Sequence, residues 1–225
     1  MDPDGQEPEP GPGGQLISAI EALERQREGN RRFVSDLRNG HALASHARRN
    51  EVAAGQEPFA IILGCSDSRV PAEIVFDQGL GDLFVIRVAG NIVAPSQVGS
   101  VEFAAERFST RLVVVLGHSQ CGAIQATLDD LNPSATAPRT YAQRNLHSIV
   151  DRVRPSIEPL VRAGLSGETL VREASRANVR ASANHLRHGS DILEDQILKN
   201  GLLVVGAEYS LETGVVDFFD GVPPR

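Results

Sequence analysis

The chain of 225 residues contains no tryptophan, two tyrosines and two cysteines, and these shortages argue against several classes of protein. Few aromatic side chains are available to stack on bases, which argues against a platform for single-stranded nucleic acid. The net charge of −7 does not provide the basic face that nucleic acid requires. No apolar run approaches the roughly 20 residues that cross a bilayer. We therefore expect neither a nucleic-acid partner nor a membrane partner.

The amino-terminal segment lacks the apolar core of a signal peptide, because residues 1–14 are acidic and rich in proline and glycine. Its composition predicts a disordered tail over 1–14, followed by a single domain over 15–225. We expect a cytoplasmic location, where a disulfide is disfavoured. The two cysteines would then be metal ligands or inert buried thiols.

Short apolar runs alternate with helical patterns from residue 59 onward, and this order predicts the fold class. The predicted strands are 59–64, 83–88, 112–117 and 202–207, with a possible antiparallel edge at 214–219. The predicted helices are those at about 42–54, 71–77, 96–109, 121–130, 140–163, 167–187 and 190–199. The alternation indicates an α/β fold with a mostly parallel central sheet of four to five strands flanked by helices.

An amphipathic helix beginning near Leu16 precedes this alternating region. Its apolar positions recur at near-helical spacing. Because it lies outside the region that forms the sheet, we expect an N-terminal helical arm whose apolar face packs on a neighbouring subunit.

Both cysteines follow predicted strands. Cys65 comes directly after the run 59–64, and His118 and Cys121 come directly after the run 112–117. Because the carboxyl ends of parallel strands meet at one edge of a sheet, these three side chains can converge. Two thiolates and one imidazole suit Zn²⁺ and leave a fourth position for water or another ligand. This pattern predicts a reactive zinc site, with inert thiols as the alternative.

Three strings of residues resemble those of the β-class carbonic anhydrases of bacterial type. They are CSDSR at 65–69, RVAGN at 87–91 and HSQCG at 118–122, in the family's order. The resemblance implies reversible hydration of CO₂ to bicarbonate and a proton through a zinc-bound hydroxide. It also implies one Zn²⁺ per subunit on Cys65, His118 and Cys121, and a homodimer or tetramer.

The resemblance further implies a catalytic pair, Asp67 and Arg69. Paired with Arg69, the Asp67 carboxylate would orient the nucleophile, because a guanidinium holds a carboxylate with two parallel hydrogen bonds. Released from Arg69, Asp67 is a possible fourth zinc ligand in a closed state of the site. The alternative for this pair is an ordinary surface ion pair.

Three further residues stand at positions of the family's substrate cleft, and Gly122, which follows the third ligand, is a fourth candidate. Gln56 matches a glutamine that reaches the partner's zinc site, although it could also be a plain loop residue. Phe84 matches an apolar cleft residue, and Phe103 stands where many members carry a tyrosine. Gly122 is small enough to let a backbone N–H approach a substrate oxygen.

The chain departs from the family at a second bicarbonate site that some bacterial members carry. Ile62 stands where that site has a tryptophan, although Arg87 and Tyr209 match other parts of it. We therefore expect weak or absent regulation by bicarbonate.

Two alternative functions remain open from the sequence. Close relatives of the family use the same zinc site to hydrolyse carbonyl sulfide or carbon disulfide. A non-catalytic zinc protein would instead need a fixed fourth ligand such as Asp67.

Overall fold

A five-stranded sheet forms the centre of the computed structural model, which describes residues 17–37, 44–131 and 144–224. The strands are β1 (Ala60–Gly64), β2 (Leu83–Arg87), β3 (Leu112–His118), β4 (Leu203–Tyr209) and β5 (Val216–Asp220). Their order across the sheet is β2-β1-β3-β4-β5. The first four strands are parallel and β5 is antiparallel to β4. The predicted mostly parallel sheet and its antiparallel edge are confirmed.

The central strands are buried on both faces, which explains their continuous apolar sequences. Every residue of β1 and β3 is buried. A parallel sheet covered by helices on both sides needs such strands, because neither face meets water. The apolar runs seen in the sequence therefore correspond to the middle of the molecule.

Eight helices lie within the described residues, along with a 3₁₀ turn at Ala89–Asn91. They are α1 (Ala19–Val34), α2 (His46–Val52), α3 (Ala72–Val75), α4 (Pro95–Arg107), α5 (Gly122–Leu131), α6 (Arg144–Arg162), α7 (Gly167–His188) and α8 (Asp191–Asn200). The predicted tail at 1–14 lies outside the described residues. None of these helices is both long and apolar enough to cross a lipid bilayer.

The N-terminal helix α1 packs on the sheet of its own chain, which differs from our expectation. Leu23 lies in the same apolar cluster as Phe76 and Val114. A Cβ on Gly29 would lie 1.7 Å from the carbonyl oxygen of Phe76, so only glycine permits this approach. We expected the apolar face of this helix to pack on a neighbouring subunit, but its buried residues pack on their own chain, because the sheet and the chain after β4 come close to it.

Asn30 joins α1 to the carboxyl-terminal part of the chain. Its amide nitrogen donates to the carbonyls of Val75, at 3.2 Å, and Gly214, at 2.9 Å. Its amide oxygen accepts from the N–H of Val216 at 2.9 Å. A buried polar side chain of this kind is stable only when its hydrogen bonds are made, so Asn30 fixes where the helix lies.

The opposite face of the sheet is covered by α4, α7 and α8. Helix α7 comes very close to β3, because a Cβ on Gly117 would lie 2.5 Å from Val179 Cγ2. At Gly117 the requirement for glycine is close packing.

Candidate metal centre

Three potential metal ligands converge at the carboxyl edge of the sheet. Cys65 directly follows β1, His118 is the last residue of β3, and Cys121 immediately precedes α5. One ligand atom from each of them lies within 4.8 Å of the others, and all three side chains are buried. Because β1 and β3 are paired neighbours, their ends deliver these groups to one place. The structure therefore brings together the three residues that the sequence singled out.

The imidazole of His118 is oriented for coordination through Nε2. Its Nδ1 lies 2.8 Å from the carbonyl oxygen of Ser119, to which it donates. Nε2 is buried and has no hydrogen-bond partner among the described residues. A buried ring nitrogen without a partner is costly unless something binds it, and metal-bound histidines commonly donate their other nitrogen to a carbonyl. The orphaned nitrogen fits a metal ion.

The two neighbouring thiols perturb each other's ionisation, and this also favours a cation. Hydrogen bonding with the Cys121 thiol lowers the pKa of Cys65. The same hydrogen bond, together with burial, raises the pKa of Cys121. The backbone N–H of Gly90 also donates to Cys65 Sγ at 3.3 Å. Both groups can be thiolates at once only if a positive ion compensates their charge.

Asp67 and Arg69 form a closely bonded pair beside these ligands. The Arg69 side chain donates from Nε to Asp67 Oδ1 at 2.9 Å and from Nη2 to Oδ2 at 2.7 Å. The Arg69 backbone N–H also donates to Oδ1 at 3.0 Å. These hydrogen bonds hold the pKa of Asp67 well below its usual range. Asp67 Oδ2 lies 4.0 Å from His118 Nε2, so the carboxylate borders the ligand set while it remains on Arg69.

Arg87 holds the loop that carries the first ligand. Its Nε donates to the carbonyl of Cys65 at 3.1 Å, and its Nη2 donates to the carbonyl of Asp67 at 2.7 Å. From the sequence, Arg87 belongs to the string RVAGN and matches part of the second bicarbonate site, and its support of the ligand loop was not predicted. The other two residues compared with that second bicarbonate site, Ile62 and Tyr209, are also buried. The ring centroid of Tyr209 lies 6.3 Å from that of Phe33.

A buried polar stripe on α7 supports the ligand loops from behind, and sequence reasoning missed it. Ser175 donates to the carbonyl of His118 at 3.2 Å. Asn178 donates to the carbonyl of Gly90 at 2.8 Å, and Ser182 to that of Asn91 at 3.0 Å. The available signal was their spacing of i, i+3 and i+7, which places polar groups on one buried face of a helix.

The residues predicted for the substrate cleft lie in several places. Gln56 is exposed in the segment before β1. The ring of Phe84 on β2 packs on Phe103 and Phe108, with centroid distances of 6.1 and 6.0 Å, and Phe103 is 53% exposed. Phe84 belongs to the apolar cluster under α4, whereas the two cysteines belong to another cluster.

Gly122 begins α5 directly after the third ligand. A Cβ at this position would have no heavy atom within 4 Å, apart from its chain neighbours and the helix backbone. Packing within the chain therefore does not explain the glycine. Its open side leaves room for a ligand or for another subunit.

Comparison with known proteins gives one consistent result. A family model described as carbonic anhydrase matches residues 60–216. Carbonic anhydrase 2 of Mycobacterium tuberculosis is 41% identical over 198 residues, which cover 88% of this chain and 90% of the relative.

Two solved structures extend the comparison to the fold. The β-carbonic anhydrase CcaA is similar with a TM-score of 0.65 at 28% identity, covering 92% of this chain and 91% of that one. A tetrameric β-carbonic anhydrase of Sordaria macrospora is similar with a TM-score of 0.64 at 25% identity, covering 76% and 84% of the two chains.

Proposed function

Because the chain belongs to the β-class carbonic anhydrases, we propose that it catalyses the reversible hydration of CO₂ to bicarbonate and a proton on one zinc ion. The observation that supports this most is the buried, unpartnered Nε2 of His118 beside two thiol sulfurs, with Asp67 4.0 Å away. Cys65, His118 and Cys121 would hold the metal. Two sulfurs and one imidazole nitrogen suit zinc and leave a fourth position for chemistry.

Bound there, zinc would act as a Lewis acid that lowers the pKa of water. In carbonic anhydrases with three histidine ligands the pKa of zinc-bound water is about 7, but that value applies to those enzymes and not to this site. Asp67 has the position to accept a hydrogen bond from the nucleophile. Arg69 keeps that carboxylate ionised and fixes the direction of its oxygens. An acceptor held in this way would lie beside the bound metal.

The substrate's surroundings would combine apolar and polar groups. Phe84 and Phe103, which lie outside the cluster of the two cysteines, would supply an apolar wall that suits CO₂. The backbone N–H of Gly122 would supply a donor to a developing negative oxygen. Gln56 would reach the zinc site of a neighbouring subunit. The proposal therefore includes a homo-oligomer, supported by the tetrameric relative from Sordaria macrospora.

A reducing compartment suits this chemistry. Cys65 and Cys121 are free thiols in the structure and must remain so to bind metal. This requirement supports the cytoplasmic location that the sequence predicted.

The test combines metal content with turnover. We expect one zinc per chain in the purified protein and rapid CO₂ hydration in stopped-flow assays with a pH indicator. His118→Ala should lose both metal and activity, whereas His188→Ala, which removes an exposed histidine at the end of α7, should keep both. Cys121→Ala should behave like His118→Ala, and full retention of zinc in Cys121→Ala would reject the ligand assignment.

An assay with carbonyl sulfide distinguishes the proposed carbonic anhydrase from the alternative enzyme, a carbonyl sulfide hydrolase. The same preparation is assayed with CO₂ and with carbonyl sulfide, and we expect a much larger kcat/KM for CO₂. A larger kcat/KM for carbonyl sulfide than for CO₂ would favour the alternative function as a carbonyl sulfide hydrolase. Zinc without turnover of either substrate at any pH would favour a structural metal.

A further inference from the structure

The short turn between the second and third ligands has an unfavourable backbone conformation. Only Ser119 and Gln120 separate His118 from Cys121. Gln120 has a φ of 55°, in the left-handed region that residues other than glycine rarely adopt. Such a conformation persists only where surrounding contacts enforce it. The spacing between His118 and Cys121 therefore depends on whatever holds this turn.

Glu212, on the turn between β4 and β5, contacts both residues of the ligand turn. Its Oε2 accepts from the Ser119 hydroxyl at 2.9 Å, and its Oε1 accepts from the Gln120 amide nitrogen at 2.6 Å. The hydroxyl of Ser210 also donates to Oε2, at 3.0 Å. The hydrogen bonds, that from Ser119 first, lower the pKa of the Glu212 carboxyl. The carboxylate is thus ionised and satisfied at both oxygens.

Backbone contacts complete the connection between the two turns. The N–H of Leu211 donates to the Ser119 hydroxyl at 3.0 Å, and the N–H of Ser119 donates to the carbonyl of Tyr209 at 2.9 Å. The Ser119 carbonyl in turn accepts from His118 Nδ1. A displacement of Ser119 and Gln120 would thus reach both His118 and Cys121.

We propose that Glu212 is a positioning residue of the metal centre, which holds the Ser119–Gln120 turn in its left-handed conformation and so fixes His118 and Cys121 relative to each other. It touches neither substrate nor metal and acts only through the turn. The inference rests on the proposed ligand set. Residues that orient metal ligands from outside typically change metal affinity by about 10- to 100-fold when removed.

A purely structural role would have different consequences. If Glu212 served only to attach the β4–β5 turn to the end of β3, its loss would lower the melting temperature and leave the bound metal unchanged. Metal affinity and ligand geometry therefore distinguish the two roles, and catalytic activity is not needed as the readout.

The experiment measures zinc affinity by competition with a chromophoric chelator and ligand geometry by the visible spectrum of the cobalt-substituted protein. We expect Glu212→Ala to bind zinc about tenfold more weakly and to shift the cobalt spectrum. The control is Glu168→Ala, because Glu168 lines the same cleft of about 690 Å³ and among the described residues has no hydrogen bond to the turn. That control removes the same charge and should match the wild type in both measurements.

A second substitution tests whether Glu212 affects zinc affinity through the backbone conformation of Gln120. Glycine adopts a left-handed φ without strain, so Gln120→Gly should remove the need for an external support. In the Glu212→Ala background, Gln120→Gly should recover most of the lost zinc affinity and restore the cobalt spectrum. No recovery would overturn the proposed route through Gln120.

The outcomes also separate this inference from the proposed function. A wild-type protein that binds no zinc would reject the metal assignment itself. Wild-type zinc affinity and an unchanged cobalt spectrum in Glu212→Ala would overturn the positioning role while leaving the zinc enzyme intact.

Discussion

In the proposed mechanism Asp67 and Arg69 orient the nucleophile, and this role is the subject of the first prediction. Asp67→Asn or Arg69→Ala should lower kcat/KM for CO₂ hydration by about 100-fold or more, because each removes half of the pair that orients the nucleophile. Zinc content should stay at one per chain. Arg162→Ala serves as the control, since it breaks a pair with Glu158 on the exposed surface. A wild-type rate in Arg69→Ala would remove the pair from the mechanism.

The lowered pKa of Asp67 excludes titration of this carboxyl as the cause of a pH dependence near neutrality. A carboxylate with a lowered pKa in the folded state makes its full contribution to stability above its unfolded pKa of about 3.9, and loses it as pH falls toward the folded value. Asp67 is therefore ionised throughout the neutral range. We expect kcat/KM to rise from neutral to mildly alkaline pH because water at the zinc ionises, and not because Asp67 titrates.

Two measurements check this second prediction. The first is the rate of CO₂ hydration across pH, where a constant rate from acidic to alkaline pH would contradict it. The second is a pair of crystal structures at acidic and alkaline pH. Asp67 on Arg69 in both would leave ionisation of water as the only cause, whereas Asp67 on zinc at acidic pH would add the closed state as a second cause.

A substitution at Gly122 can test function without disturbing the fold. Because an added Cβ would meet open space, Gly122→Ala should fold normally and have a melting temperature equal to or slightly above the wild type. Activity should nevertheless fall if Gly122 has its proposed role, since the methyl group would occupy the side on which the backbone N–H would meet substrate. We would measure melting temperature, zinc content and kcat/KM on the same preparation. Unchanged activity would mean that this side of Gly122 is not part of the cleft.

At the residue scale, the sequence predicted the candidate site residues that stand close to one another along the chain. Cys65, Asp67 and Arg69 stand within five residues, so their spacing alone indicated shared chemistry. Glu212 could not be predicted in this way, because it lies 92 positions after Gln120 and only the pairing of β3 with β4 brings them together. Long-range partners depend on the register of the sheet, which no local pattern specifies.

At the scale of elements, the close approach of α7 to β3 yields the fourth prediction. Gly117→Ala should destabilise the protein by about 1–3 kcal/mol, because its Cβ would lie 2.5 Å from Val179 Cγ2. Gly64→Ala is the matched control, since a Cβ there has its nearest neighbour at 3.9 Å and should be tolerated. Denaturant unfolding measures both.

A double substitution tests the cause of this destabilisation. Val179→Ala would remove the methyl group that an alanine at position 117 would strike, so the double variant should be less destabilised than the sum of the single variants. Simple additivity would show that Val179 is not the source of the strain.

The elements themselves were predictable to different degrees. Apolar runs indicated the strands well, because buried parallel strands leave no polar face to interrupt them. The position of α1 was not predictable, since its amphipathic pattern shows that one side is buried but not what covers it. The residues that pack on the buried side of α1 include Val114 in β3, which is far from the helix along the chain.

At the scale of the whole molecule, we predict a homodimer or larger assembly. Ile20 and Val34 remain 50% and 44% exposed although the other side of α1 is packed, and Phe103 is also exposed. Replacing Ile20 and Val34 together by Glu should shift sedimentation toward the monomer and lower activity, because Gln56 would lose the neighbouring zinc site. Leu198→Glu, at an 80% exposed position on α8, is the control. A wild-type protein that sediments as a stable, active monomer at micromolar concentration would contradict the prediction.

The hydrogen bond from Val216 to Asn30 also sets an order of events during synthesis on the ribosome. The two residues are 186 positions apart, so at translation rates of about 5–20 residues per second the partner of Asn30 emerges roughly 10 to 40 s later. Throughout that interval Asn30 can bind the carbonyl of Val75 but lacks its partner at Val216. Helix α1 therefore completes its hydrogen bonds only when the carboxyl-terminal part of the chain has been made.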